Sequence, residues 1–219
     1  GWSGALTQSE HDRLVPIDSN VGWSKVDRNI ERTSSYRIVL DPNGPARARL
    51  TLSYSNLSER TGIGCDSQFA DRSELYEVLK NTCYWNLVRA YVADGAQLVA
   101  GDALPLPENS ILHQTGAAEP GEDTLQVIHG PGGTAFAGLL AVPPGATRSA
   151  SFVYDLPNTV ADWGEASSMY SLTMQPQAGT AGRKVRVEIV LPEGFEYARS
   201  SITPTSTIGN TIEFEFVLL

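Results

Sequence analysis

The sequence predicts an all-β, immunoglobulin-like sandwich with one short helix in a disulfide-closed excursion. Three observations carry that prediction. Apolar residues recur with period two along much of the chain, Pro/Gly turn sequences separate the alternating runs, and the only two cysteines flank the only helical pattern. No helical pattern alternates with the strands, which argues against a parallel α/β arrangement.

The alternating runs come in order. In "ARARLTLSYS", Ala48, Leu50, Leu52 and Tyr54 share one face, while Arg47, Arg49, Thr51 and Ser53 take the other. In "KVRVEIVL", Val185, Val187, Ile189 and Leu191 alternate with Lys184, Arg186, Glu188 and Val190. "TIEFEFVLL" sets Ile212, Phe214, Phe216 and Leu218 on one side, and "SYRIVL", "SFVYDL" and "MYSLTM" repeat the pattern in shorter form. Successive side chains of a strand point to opposite faces, so these are half-buried strands. The sets Leu50/Leu52/Tyr54, Val185/Val187/Ile189 and Ile212/Phe214/Phe216 are expected to face one core. "DPNGPA", "VPPGAT" and "LPEG" between runs are turn sequences, in which Pro presets φ and Gly or Asn supplies positive φ.

The helix is predicted over "DRSELYEVLK". Asp71 is its N-cap, Glu74 follows three residues later, and Leu75, Val78 and Leu79 fall on one face. Residues 1–27 are read as an N-terminal extension or linker and 28–219 as the sandwich, with a subdivision admissible near 102–123, a stretch rich in Pro, Gly and acid. The chain opens at Gly1 with no initiator Met or signal-like stretch, and is read as a piece or processed form of a longer protein.

Charge narrows the partners. The net charge is −9, the pI is about 4.8, and no Lys/Arg run occurs, which argues against nucleic acid or an anionic membrane. No stretch approaches the roughly 20 apolar residues of a membrane span, since "AFAGLLAVPPGA" breaks at Pro143 and Pro144.

The reactive residue types do not assemble into a signature. Cys65 and Cys83 stand 18 apart. Zinc wants about four close ligands, and Cys83 follows the C-terminal end of the predicted helix, where the dipole disfavours a thiolate. A disulfide between them fits best; the alternative is a pair of reduced, buried thiols. His11, His113 and His129 lie outside any zincin or hydrolase motif, and the "GWSG" opening lacks the spacing of a nucleophile elbow. "IHGPGGTAFAG" has no G-K-[ST] and no following helix, so it is read as a β turn rather than a phosphate cradle. Asp102, Glu108, Glu119, Glu122 and Asp123 form no D-x-D-x-D loop and read as a solvated acidic stretch. Asn56 begins a formal glycosylation sequon. Trp2, Trp23, Trp85 and Trp163 are sugar-stacking candidates if exposed, with Trp85 assigned to the core. No catalytic residue, metal site or cofactor is called for.

The order of motifs carries a resemblance. It runs "GWSG", "DRLVPIDSNVGWSKVD", "YRIVLDPNGPARARLTLSYSN", "CYWNLVRAYVADGAQLV", "VPPGATRSASFVYDLP", "YSLTMQPQAG" and "VRVEIVLP" over nearly the whole chain. This resembles the C-terminal part of large bacterial proteins of the domain-of-unknown-function 4012 family. Its most specific parts are "NVGWSK" and the R-x-Y-V-x-x-G-x-x-L pattern from Arg89 to Leu98. The resemblance implies a membrane-anchored envelope protein with a LytR-CpsA-Psr-like region upstream, and an extracytoplasmic place for this piece. It brings no catalytic residues.

The expectation is therefore a non-catalytic extracytoplasmic module of a bacterial cell envelope, structural or adhesive, with an envelope protein or a glycopolymer as partner. The rival is a carbohydrate-binding accessory module for an upstream glycopolymer-transferase-like domain. An autonomous hydrolase is the third reading. Exposed aromatics on a concave face favour the rival, and an acid-His-nucleophile cluster in a pocket favours the hydrolase.

Overall fold

A computed structural model describes residues 11–22, 24–59, 65, 75–104, 121, 124–130, 133–165 and 167–219. The chain is all-β. Its strands are β1 (Asp12–Asn20), β2 (Ile30–Val39), β3 (Ala46–Asn56), β4 (Tyr84–Val92), β5 (Gln97–Gly101), β6 (Gln126–Gly130), β7 (Gly133–Val142), β8 (Thr147–Leu156), β9 (Ala161–Trp163), β10 (Ser168–Tyr170), β11 (Leu172–Met174), β12 (Arg183–Val190), β13 (Ser206–Ile208) and β14 (Thr211–Leu218). One sheet has five strands in the order β11-β1-β4-β7-β6, and a second has seven in the order β13-β14-β12-β2-β3-β8-β5. A two-stranded ribbon, β10-β9, stands beside them. Most neighbours are antiparallel, but β12 pairs parallel with β2, and β1 with β11.

The two sheets close on one core. Leu50, Leu52 and Tyr54 are fully buried, Val185, Val187, Ile212 and Phe214 nearly so, and Ile189 and Phe216 pack against them half-buried. All three predicted sets thus face inward together. Aromatic rings knit the sheets: Phe136 of β7 lies 5.0 Å from Tyr154 and 6.1 Å from Phe152 of β8, centroid to centroid. The turns behave as their residues dictate in "VPPGAT" and "LPEG", where Gly145 and Gly194 take positive φ. "DPNGPA" turns differently: the Asp41 side chain accepts from the Asn43 amide at 2.8 Å, so an Asx turn replaces a positive-φ glycine.

The expected boundary at residue 28 does not hold. From Asp12 onward the supposed extension is β1, an inner strand hydrogen-bonded to β4 from Leu14 to Asn20 and to β11 at its start. Asp12, Leu14, Pro16 and Asp18 all face inward and are buried. Residues before and after 102–123 share the same core. At the head of that stretch the backbone steps between sheets: the Asp102 amide donates to Ser151 of β8, and the Leu104 amide to Leu139 of β7, each at 2.9 Å. Residues 105–120, 122 and 123, with Glu108, His113, Glu119, Glu122 and Asp123, lie outside the described residues, as do Trp2, Trp23, Asp71 and Glu74.

Cys65 and Cys83 are joined in a disulfide, with Cα atoms 5.1 Å apart. The bond lies on the outer face of the five-stranded sheet. There Cys83, Trp85 and Leu139 form a small second cluster with Val21, Cys65 and Ala141. Trp85 is buried as expected, but in this satellite rather than the main core. Gly22 packs closely here: a Cβ there would meet the Trp85 side chain at 3.0 Å, so a larger residue needs the indole to shift by a few tenths of an ångström. Between the cysteines the described backbone is helical over Leu75–Lys80, six residues. Its last carbonyls are satisfied from outside: Leu79 O accepts from the Lys25 amide at 2.9 Å, and Lys80 O from Asn29 Nδ2 at 2.7 Å.

Candidate functional site

Polar chemistry concentrates where β1 faces the seven-stranded sheet. The pleat places Asp12 and Asp18 six residues apart on the same side, with Leu14 and Pro16 between them. Each carboxylate is the centre of a buried network linking the two sheets.

Asp18 holds the larger one. Its Oδ2 accepts from Arg32 Nε at 3.0 Å and Arg183 Nη2 at 2.6 Å. Its Oδ1 accepts from Tyr54 Oη at 2.5 Å and Asn86 Nδ2 at 3.0 Å. Four donors therefore saturate one carboxylate, and all five side chains are buried. Arg32 also donates to Asp27 at 3.1 Å, to Tyr84 Oη at 3.2 Å and to its neighbour carbonyl of Ile30. Arg183 also donates Nη1 to Ser34 Oγ at 3.2 Å. Each guanidinium lies over a ring, Arg32 on Tyr84 at 5.6 Å and Arg183 on Tyr54 at 5.5 Å. Gln177 clamps the Asp18 backbone, accepting from its amide and donating to its carbonyl. Two arginines and two aspartates balance in charge, with Asp27 at the half-exposed rim.

Asp12 makes a smaller group near the other end of β1. Its Oδ2 accepts from Tyr36 and Tyr170, both at 2.5 Å, and its Oδ1 from the Arg13 amide at 2.8 Å. Tyr170 belongs to the β9–β10 ribbon, so this bond ties the ribbon to the sandwich. Tyr154 completes the group, its hydroxyl beside Tyr36 but outside hydrogen-bond geometry. Burial pushes the Asp12 carboxyl up to about 6, against the opposing pull of the Tyr170, Tyr36 and Arg13 hydrogen bonds. Burial, and next the neighbouring Asp12 carboxylate, also raises the hydroxyls of Tyr36, Tyr154 and Tyr170 well above their usual range.

The sequence reading does not reach these networks, because it places β1 in a linker over residues 1–27. One signal was present: Arg32 and Arg183 occupy inward positions in alternating runs, the parity of Tyr36 and of Val185. A charge at an inward position needs a buried counter-charge.

The other candidates scatter. His11 is half-buried at the start of the first strand, and His129 lies on the exposed edge strand β6, 3.4 Å from Thr134 Oγ1. Asp102 is exposed at the sheet crossing. "IHGPGGTAFAG" is the β6–β7 hairpin, paired from Gln126/Ala137 to Gly130/Gly133. Asn56 is closed to glycosylation in the folded chain. It is buried, and its Nδ2 donates to Thr82 O at 2.9 Å and Val142 O at 3.0 Å. Trp163 is half-buried, edge-on to Phe195 at 5.4 Å. Among the described residues no group of three or more His, Cys, Asp or Glu is placed to hold a metal ion, and no helix is long and apolar enough to cross a membrane.

Fold and site together define an all-β, two-sheet, disulfide-bonded chain whose inward Asp18 is paired with Arg32 and Arg183 and whose inward Asp12 is held by tyrosine hydroxyls. No protein-family model matches it, and no curated protein does. Among solved structures it is similar to an M1 zinc metallopeptidase from Deinococcus radiodurans, at 12% identity and a TM-score of 0.37 over 88% of this chain and 39% of that one. A point mutant of the same peptidase matches at 12% identity and 0.37 over 87% and 39%. The chain thus spans about 39% of the length of these structures, at a likeness that bears on neither activity nor the details of the fold.

Proposed function

We propose that this chain is a non-catalytic, extracytoplasmic β-sandwich module of a bacterial cell-envelope protein, with an immunoglobulin-like plan and a structural or adhesive role. The observation that carries the reading is the saturation of Asp18. Its two oxygens take four donors from β2, β3, β4 and β12, so the charged groups of the interior hold the sheets together rather than await a substrate. Asp12 likewise ties the ribbon to both sheets. The Cys65–Cys83 bond supports an oxidising compartment, where such bonds persist. An envelope protein or a glycopolymer is the partner that suits such a module.

The test is protease shaving of intact cells that carry the parent protein. Peptides of this module released without lysis, with Cys65 and Cys83 still bonded under non-reducing mass spectrometry, are the expected result. Retention inside the cell with both thiols reduced overturns it. The purified chain is also expected to turn over neither esters, glycosides nor lipid-linked sugars.

The second reading is a carbohydrate-binding accessory module; of its tryptophan candidates among the described residues, Trp85 is buried and Trp163 packs on Phe195, so neither offers an open stacking face.

A further inference from the structure

The turn between β2 and β3 reads Asp41-Pro42-Asn43-Gly44-Pro45, and Asn43 is the one asparagine of the chain that precedes a glycine. The strands stay paired up to the turn, with Val39 opposite Arg47, and Leu40 and Ala46 beside it are buried. The turn itself projects: Asp41, Pro42, Asn43 and Pro45 are exposed and Gly44 is half-buried. Water therefore reaches the Asn43 side chain.

An asparagine carboxamide has an intramolecular reaction open to it. The backbone nitrogen of the next residue attacks Cγ, closes a five-membered imide and expels ammonia. Nucleophile and electrophile belong to adjacent residues, so proximity supplies much of the rate. A side chain on the second residue crowds the attacking nitrogen, and glycine has none. A hydrogen bond held by either group opposes the reaction. Among the described residues, the Gly44 amide donates no hydrogen bond and the Asn43 carboxamide makes none. Asp41 adds a base. Its Oδ1 accepts from the Asn43 amide at 2.8 Å, and its Oδ2 hangs over Gly44, 3.1 Å from where a Cβ would stand. The Asx turn thus sets a carboxylate beside the nitrogen that must lose its proton. Other asparagines contrast. Asn20, Asn29, Asn56 and Asn86 hold their carboxamides in hydrogen bonds to Ser24, Lys80, Thr82 and Asp18, and each precedes a bulky Val, Ile or Leu.

We propose that Asn43–Gly44 is a self-modifying site of the folded chain. The Gly44 nitrogen bonds to Asn43 Cγ while its proton passes by way of Asp41 to Nδ2; the Cγ–Nδ2 bond breaks and ammonia departs. Water, the only co-reactant, then opens the imide. Cleaving the new bond to Cγ leaves an aspartate at position 43. Cleaving the bond to the main-chain carbonyl carbon leaves an isoaspartate, in which the backbone runs through the former side chain. Either product adds one negative charge next to Asp41, and isoaspartate also lengthens the tight β2–β3 loop by a methylene. Loss of ammonia makes the change one-way, so this loop records how long the folded chain has stood. The site is independent of the envelope reading.

The purified full chain, incubated at mildly alkaline pH and sampled over weeks by peptide mass spectrometry, is expected to gain one mass unit in the peptide that holds Asn43. An isoaspartate-specific methyltransferase label is expected on the same peptide, and the urea-unfolded chain is the positive control. Gly44→Ala is expected to slow the gain at least tenfold. Asn43→Gln, whose longer side chain must close a six-membered ring, is expected to abolish it over the same period. Asp41→Asn keeps an acceptor for the Asn43 amide but removes the base, and is expected to slow the gain severalfold; melting curves confirm that the variants fold. The proposal is overturned if Asn43 stays intact in the folded chain, if Gly44→Ala reacts as fast as the parent, or if another asparagine reacts first. An unchanged rate in Asp41→Asn overturns the part assigned to Asp41.

Discussion

Replacing Asp18 by Asn removes the negative charge shared by two buried arginines. The consequences for the two are unequal. Arg32 keeps Asp27 at 3.1 Å, whose side chain is 47% exposed, so part of its charge stays compensated. Arg183 keeps only the Ser34 hydroxyl and the Tyr54 ring, and its guanidinium is left without an anion among the described residues. The new amide also turns donors toward donors. Breaking a buried pair from one side costs about 3–5 kcal/mol. For a chain of this size that is roughly 6–20 °C in melting temperature. Urea melts of parent and Asp18→Asn measure the cost directly. A triple variant, Asp18→Leu with Arg32→Met and Arg183→Met, removes all three charges, and is expected to be far milder than the single change because no ion is stranded. If Asp18→Asn lies within about 1 kcal/mol of the parent, the network does not hold the sheets as argued.

Reducing the Cys65–Cys83 bond releases a loop of 18 residues, and is expected to cost about 3 kcal/mol, or about 6–12 °C, in melts with and without reductant. Asp12 sets a pH dependence. Its folded value, about 6, lies above the unfolded one near 3.8, so its contribution is fully present below the lower value and is lost as pH rises through the higher. That amounts to about 2 kcal/mol between pH 4 and 7, and Asp12→Asn is expected to flatten this part of the stability profile. Expression in a host that glycosylates N-x-S sequons is expected to leave the folded chain unmodified at Asn56; a glycan there by mass spectrometry contradicts its buried hydrogen bonds.

What the sequence revealed and what it hid follow from one rule. Strands with one dry face and one wet face write their alternation plainly. Leu50, Leu52 and Tyr54 against Arg49, Thr51 and Ser53 is such a case, and the seven-stranded sheet is legible throughout its centre. β1 is buried on both faces from Asp12 to Pro16, so its alternation vanishes. Its inward face carries Asp12 and Asp18, and Pro16 reads as a break. The carboxylates that organise the interior were thus hidden in the one strand least like a strand. Trp85 was legible as buried, but not that the disulfide gives the outer face of its sheet a small core of its own.

The long reach of the Asp18 contacts fixes when this chain can finish folding. Arg32 is 14 residues away, but Arg183 is 165 away, and β12 must lie parallel against β2 to bring it in. Until then β2 has one sheet edge open, and Asp18 lacks one of its two cations. Loops of that length close slowly. A chain emerging from its amino end therefore keeps an unpaired strand edge until β12 arrives. Truncation before β12 leaves both the edge and the charge uncovered, which makes the carboxyl-terminal strands the piece that commits the whole chain.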